Sequence, residues 1–391
     1  MKVLWICGLP DAIRQKAYDK VLSPTPTASW SWILGHLPPP NNIELHILCP
    51  VGGLYADRVD FDYMGAHWHC VRLKRFEICF LWYRFFLYIR PLVKSLKPDV
   101  IQGWGGETGY GRLATLISKN AIVSVQGLLA MLSHNLLTLK HAKERIDLRT
   151  RLTRLCERKA YRSAKLLLVE SEASRCGLLE FYGERGQIVP HPLRDEFLTA
   201  DLSVRQKLSK SPVKFVYVGS LIERKGAIDV VVAFAASSRK DTKLVMIGDG
   251  EAKSKIETII QERGMKDRVV IKGVLPADKI VDEFKNVQFF ILPSYGDTGP
   301  TALKEALACG LYPICYDNSG PRDLISRYGC GTLVKTADIG CLSVAIDKCI
   351  SKIEDCVQDG LSAAPKVRND LSRNNVWEQL FNIYKANICF S

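Results

Sequence analysis

The sequence predicts an α/β protein built as two doubly wound halves, and three observations carry that reading. Short apolar runs alternate with longer amphipathic ones along nearly all of the chain, the pattern of βαβ units on parallel sheets. The alternation runs twice, interrupted by QIVPHPLRDE at 187–196, where Pro190 and Pro192 stop any helix and mark a connector. The length, 391 residues, exceeds one ordinary core and suits two domains of about 190 residues each.

In the first half, strands are expected at 3–7, 44–48, 68–71, 100–102, 122–125 and 166–169. Helical spacing falls at 30–36 and 112–119, and a long basic helix is expected over 142–163. The second half repeats the scheme, with strands at 215–218, 243–247, 269–272, 289–292 and 312–315. Its helices lie at 227–236, 251–262, 277–285 and 301–308. In such sheets ligands bind beyond the carboxyl ends of the strands. The expected domains are 1–190 and 195–371, with a last helix over 372–391.

Hydrophobic residues at 47% and charged residues at 24% exclude a disordered or fibrous chain. A net charge of +13 excludes an electropositive partner and leaves nucleic acid, an anionic membrane or a phosphorylated substrate. Residues 1–190 hold 26 Lys and Arg against 16 Asp and Glu, so most of the excess lies in the first half. No RRM, KH or helix-turn-helix signature accompanies the charge, so no nucleic-acid partner is expected. The 13 cysteines include no CxxC pair and read as buried, reduced thiols of a cytoplasmic protein. MKVLWICGLP at the start lacks a signal-peptide layout and reads as a first strand running into a loop at Gly8.

Three turns in the second half carry the chemistry. VGSLIERKG (218–226) places Gly219 and Ser220 at a strand end and Arg224, Lys225 and a glycine at the next helix start, where free N–H groups and the helix dipole favour anions. KLVMIGDGE (243–251) is a second strand-to-glycine turn. LPSYGDTGPTALKEALACGLYP (292–313) puts Asp297 in a loop and Glu305 two turns inside the following helix. Pro300 suits the first turn of that helix, and the amides of Thr301, Ala302 and Leu303 would face a diphosphate, with Gly299 in the loop before them.

With these residues in order, the chain resembles the GT-B glycosyltransferases of family 4, retaining enzymes that use nucleotide-sugar donors. Their G-R-L-x-x-x-K-G, G-D-G and E-x7-E segments, followed by A-x-G-x-P, correspond here to GSLIERKG, GDG, Asp297-x7-Glu305 and Ala308-Cys-Gly-Leu-Tyr-Pro313. The resemblance is specific over 213–325 and diffuse over the first half. It implies two Rossmann-like domains facing a cleft, an acceptor-binding N-terminal domain, a C-terminal donor domain, and a last helix, WEQLFNIYKAN, that crosses back to the first. Carried over, Lys225 binds donor phosphate, Asp297 contacts sugar hydroxyls, Glu305 contacts the ribose, and Val274, after Gly273, lies beside the base.

The implied activity is a metal-independent, retaining transfer from a UDP- or GDP-sugar to a saccharide or lipid-linked saccharide in surface polysaccharide synthesis. A nucleotide-sugar epimerase of the same fold, or a non-catalytic nucleotide-sugar-binding relative, is the alternative. No metal-ligand constellation is expected, and with it no required metal or other cofactor. The departures are Ser220 where the family has arginine, Asp297 for a longer Glu, and TGPT in the following loop. Gln126 stands in VSVQGLL where the family has histidine.

On the acceptor side, GWGGET (103–108) lies at a strand end, with Glu107 either orienting an acceptor hydroxyl or simply solvated. The stretch 71–97 holds seven basic residues, one acidic residue and seven aromatics. It reads as an interfacial helix against an anionic membrane, at residues 72–97, or as a buried crossover helix. The former would place the protein peripherally on the inner face of the plasma membrane.

Overall fold

The structure, a computed structural model, describes residues 1–10, 13, 31–54, 56–74, 77–129 and 148–389. The chain divides into two compact units, Met1–Pro192 with Arg373–Ser391, and Leu193–Ser372.

The first unit holds eight strands: β1 (Lys2–Ile6), β2 (Glu44–Gly52), β3 (Arg58–Tyr63), β4 (Ala66–Leu73), β5 (Val100–Trp104), β6 (Ile122–Val125), β7 (Leu166–Val169) and β8 (Gln187–Ile188). Their order is β3-β4-β2-β1-β5-β6-β7-β8. All pairings are parallel except β3 with β4, an antiparallel hairpin that the sequence reading missed. Its RVDFDY run alternates polar and apolar residues, as an edge strand wet on one face does. β8 was also missed: the first two residues of the expected connector pair with β7.

Along β1 and β2 successive side chains enter different cores. Trp5, Leu45 and Ile47 join one cluster, and Leu4, Ile6 and Leu48 join the other. A sheet covered on both faces needs apolar residues at every position, which explains the continuous runs. The helix Arg373–Cys389 supplies Val376, Trp377, Leu380, Ile383 and Tyr384 to the first cluster. Trp377 stacks on Trp5 at 5.3 Å, and the Trp5 indole donates to the Tyr384 hydroxyl at 3.0 Å. Two expected helices differ in extent. Over Ser31–His36 the chain forms a 3-10 helix, and Trp30 lies outside the described residues. The basic helix is Leu148–Ser163; residues 142–147 also lie outside them.

The segment 72–97 divides its surface. A 3-10 turn, Glu77–Phe80, is followed by reversal at Leu81 and Trp82, both with positive φ, and only Tyr83–Leu96 is α-helical. Phe85, Ile89 and Val93 form a buried stripe, while Tyr83, Leu87 and Tyr88 remain exposed with Arg84, Arg90 and Lys94. One face is a core face, as the crossover alternative expected. The other keeps the basic and aromatic residues that membrane contact requires. Among the described residues, no helix is long and apolar enough to cross a membrane.

The second unit holds β9 (Lys214–Val218), β10 (Lys243–Ile247), β11 (Val269–Ile271), β12 (Phe289–Leu292), β13 (Tyr312–Tyr316) and β14 (Thr332–Val334). The order is β11-β10-β9-β12-β13-β14, all parallel. Connections run outward from β9 in one direction and from β12 in the other, so the order reverses between these two strands. Helices Ser319–Tyr328, Ile339–Ser351 and Ile353–Asp370 complete the unit. Most cysteines are buried free thiols; Cys79, Cys176 and Cys341 are exposed, against the expectation that all would be covered.

Candidate active site

The reversal between β9 and β12 puts two of the expected residues side by side. After β9 the chain makes a 3-10 turn, Glu223–Lys225, and enters the helix Ala227–Ala236 at Gly226. Gly226 has φ +70°, and a Cβ there would lie 2.0 Å from the Pro293 carbonyl oxygen, so only glycine lets the turn press against the end of β12. The consequence is an ion pair between the Lys225 ammonium and the Asp297 carboxylate, both mostly covered. Phosphate-binding and sugar-binding candidates 72 residues apart are therefore neighbours.

Arg224, adjacent, is not a solvated cation. Its guanidinium donates to the Gly296 carbonyl at 3.1 Å, and its own carbonyl accepts from the Tyr295 amide at 2.9 Å. It fastens the 294–297 loop. Ser220 is exposed, and its carbonyl accepts from the Tyr217 hydroxyl at 2.8 Å. Below the loop, the Tyr295 and Tyr316 hydroxyls both donate to Asp229 Oδ2 at 2.7 Å. From the other side, Gly320 donates its amide to the Asp297 carbonyl at 2.9 Å, and a Cβ on Gly320 would meet that oxygen at 2.3 Å.

The glycine turns lace together across the strand ends. Gly219 N–H donates to the Ile247 carbonyl, Leu221 to Asp249, and Gly248 to Gly273. Beyond Gly273, Val274 is 77% exposed. The helix Thr301–Ala308 begins after Pro300, which occupies the cap position itself, one residue before the expected first turn. Of the three expected phosphate-facing amides, that of Leu303 is engaged by the Pro300 carbonyl at 3.1 Å, and its side chain is buried. Gly299 is buried, and Thr301 and Ala302 are half-covered.

Glu305 departs most from expectation. It is only 6% exposed, and its Oε1 accepts from Arg194 Nη2 at 3.1 Å. Burial pushes its carboxyl above the ordinary range, and the Arg194 charge pulls it partly back. Arg194 was not singled out in the sequence. It follows Pro192 in HPLRDE, where its pairing with a residue 111 positions away leaves no local trace.

In the first unit, the order reverses between β1 and β5, so the Gly8 and Glu107 loops occupy the corresponding place. Gly8 is buried. Glu107 is not a solvated acid: the residue is partly covered, but its Oε2 is enclosed and has no hydrogen-bond partner among the described residues. Burial, with the neighbouring Glu157 carboxylate adding to it, pushes its pKa up to about 8. Glu157, raised by burial to about 7, accepts from the Tyr161 and Tyr182 hydroxyls. Gln126 lies half-buried beside Gly127, whose position neighbours the Glu107 carboxyl group, and its Nε2 is buried without a partner among the described residues.

The sheet brings together one set of possible ligand groups that the sequence reading did not expect. Asp60-Phe61-Asp62 on β3 is a D-x-D triplet, and Glu44, His46 and His67 come together with ligand atoms within 4.8 Å of one another. The signal was three strand-period pairs, Glu44/His46, Asp60/Asp62 and His67/His69, in segments that only the sheet brings together.

Residues 200–359 match the family described as glycosyl transferases group 1. The match lies within the second unit, and the likeness of the chain to solved structures shows a GT-B fold. Among curated relatives, the chain is 24% identical over 246 residues to an alpha-D-kanosaminyltransferase of Streptomyces kanamyceticus, covering 60% of the chain and 64% of the relative. It is 27% identical over 191 residues to the amylovoran biosynthesis glycosyltransferase AmsK of Erwinia amylovora, covering 47% of each. The chain thus spans about half to two thirds of the length of these relatives. Among solved structures, the sucrose-phosphate synthase of Thermosynechococcus elongatus superposes with TM-score 0.77 at 14% identity over all of both chains. Anabaena HepE, solved with UDP and glucose, gives 0.71 at 13% identity over 99% of this chain and 100% of HepE.

Proposed function

We propose that the protein is a glycosyltransferase, a retaining, metal-independent enzyme of the family 4 type. It would move a sugar from a UDP- or GDP-sugar to a saccharide or lipid-linked saccharide in surface polysaccharide synthesis. The observation that carries the reading is the placement of Lys225 and Asp297 together at the point where the strand order of the second unit reverses. Structural neighbours solved with UDP and with UDP-glucose support a nucleotide-sugar donor.

Donor binding would exchange the Lys225–Asp297 pair for two new ones. The ammonium turns to the diphosphate, and the carboxylate is freed to accept from sugar hydroxyls. Amides at the start of the Thr301–Ala308 helix, with its dipole, would hold the phosphate oxygens as negative charge develops on the departing nucleotide. That is electrostatic preorganisation, strongest where charge grows in the transition state. The acceptor attacks on the face the diphosphate leaves, so configuration is retained without an enzyme nucleophile. Glu107 and Gln126 would line the acceptor side.

The test is a panel of UDP-, GDP-, ADP- and CMP-sugars read by thermal shift, then product analysis with saccharide and lipid-linked acceptors. A productive donor at 100 times its dissociation constant should add about 2.7 kcal/mol of stability. Transfer should persist in EDTA. Loss of turnover on chelation, restored by magnesium or manganese, refutes metal independence. Interconversion of the donor with no acceptor present makes the enzyme an epimerase instead.

A further inference from the structure

The geometry points to a divalent transition-metal site of the zinc class on the sheet of the first unit, with Glu44, His46 and His67 as protein ligands. It lies toward the amino ends of β2 and β4, away from the carboxyl-end loops that carry the proposed acceptor residues.

In β4's pairing with β3, Asp60 lies opposite His69 and Asp62 opposite His67; in its pairing with β2, His46 lies opposite His67. Asp60 Oδ1 lies 2.9 Å from His69 Nδ1, and a carboxylate there accepts, so Nδ1 carries the proton. His69 Nε2 lies 3.0 Å from His46 Nδ1 and so fixes the orientation of the His46 ring. His46 Nε2 then faces Glu44 Oε1 at 2.9 Å. A cation between these two atoms would be held by both, and the ligand atoms of Glu44, His46 and His67 all lie within 4.8 Å of one another. Asp62 holds His67 Nδ1 at 2.6 Å in the same way and leaves His67 Nε2 free to ligate. The His67 ring stacks on His46 with centroids 4.8 Å apart.

Two imidazoles and a carboxylate, with a fourth position open to water through exposed His67 and Glu44, form a donor set suited to zinc and its neighbours. Asp62 behind His67, and Asp60 behind His46 by way of His69, are outer-shell partners that fix imidazole orientation. Lys2 Nζ, 3.2 Å from Glu44 Oε1, is the cation a metal must displace, and bonds of about 2.0–2.1 Å require the Glu44–His46 gap to open slightly. A bound metal would clip β2 to β4 and tie the edge hairpin to the parallel sheet. The site has no part in the transfer reaction.

The full-length protein, stripped with a chelator, is titrated with zinc(II) by calorimetry and with cobalt(II) by visible absorption. One equivalent should bind with micromolar or tighter affinity, without a thiolate charge-transfer band. It should also raise the melting temperature reported by tryptophan fluorescence, since all seven tryptophans lie outside 193–372. His67→Ala and Glu44→Gln alter exposed side chains and should fold; each should weaken binding at least tenfold. Asp62→Asn should weaken it by about 10- to 100-fold. The proposal is overturned by no saturable binding at micromolar metal, by wild-type affinity in His67→Ala, or by a thiolate band. In the first case the cation between His46 and Glu44 is a proton.

Discussion

Arg194→Met should destabilise the second unit selectively, and the structure sets the size of the effect. Its guanidinium is 3.1 Å from a Glu305 carboxylate that is 8% exposed, while the arginine side chain itself is 23% exposed. At that distance and an effective dielectric near 20, the attraction is about 5 kcal/mol before desolvation is counted. Removing one partner of a buried pair typically costs about 3–5 kcal/mol because the other charge is left uncompensated. Solvent screening at the partly exposed arginine lowers the expectation to about 2–3 kcal/mol, or roughly a 1 M fall in the urea midpoint for a unit of this size. Glu305→Gln leaves a guanidinium that can reach water, so its own stability cost should be under about 1 kcal/mol. In the double variant most of the Arg194→Met cost should disappear, the signature of a coupled pair.

The pH dependence supplies an internal check. Because the folded Glu305 carboxyl is raised, the folded state holds a proton that the unfolded chain releases, so stability falls as pH rises through the ordinary carboxylate range and above it. Arg194→Met should steepen that fall. Far-UV circular dichroism follows both units, whereas tryptophan fluorescence follows the first alone. Equal midpoints for Arg194→Met with and without Glu305→Gln would refute the reasoning, as would a shift seen equally by both probes.

Lys225→Ala should lower turnover about a hundredfold, a loss of about 3 kcal/mol at the transition state, with melting almost unchanged; near-normal turnover defeats the donor assignment. In the first unit, Glu107 near 8 and Glu157 near 7 are both raised, so stability should fall as pH rises from about 5 to 8, by up to about 1.4 kcal/mol per pH unit per group. Glu107→Gln should flatten that slope in tryptophan-monitored urea titrations, and an unchanged slope shows that Glu107 does not titrate in this range. Co-sedimentation with anionic vesicles should be weakened by salt and by Arg90→Glu/Lys94→Glu, which spares Arg84 and its 3.7 Å ion pair with Glu77. Wild-type protein that stays in the supernatant at low salt rules out membrane contact through 83–96.

Local sequence patterning set the alternating architecture and the turn and helix elements of the second unit. β12 and the Thr301–Ala308 helix fall where their apolar runs and breakers place them, because helix and strand periods are local properties. Lys225 and Asp297 stand out as candidates because glycine turns at strand ends are local features, and their ion pair is a product of the fold. What the tertiary structure alone decided are pairings across long separations. Arg194 meets Glu305 111 residues on, Arg224 turns inward to the Gly296 carbonyl, Glu107 is enclosed beside Glu157, and three strand-period pairs meet as a histidine–carboxylate cluster. Charge and polarity are written in each residue, but whether a charged group is solvated or buried against a partner depends on which segments the sheet makes neighbours. The same limit applies to the helix at Tyr83–Leu96: its composition shows aromatic and basic residues, and only packing decides that Phe85, Ile89 and Val93 turn inward while Tyr83, Leu87 and Tyr88 face water.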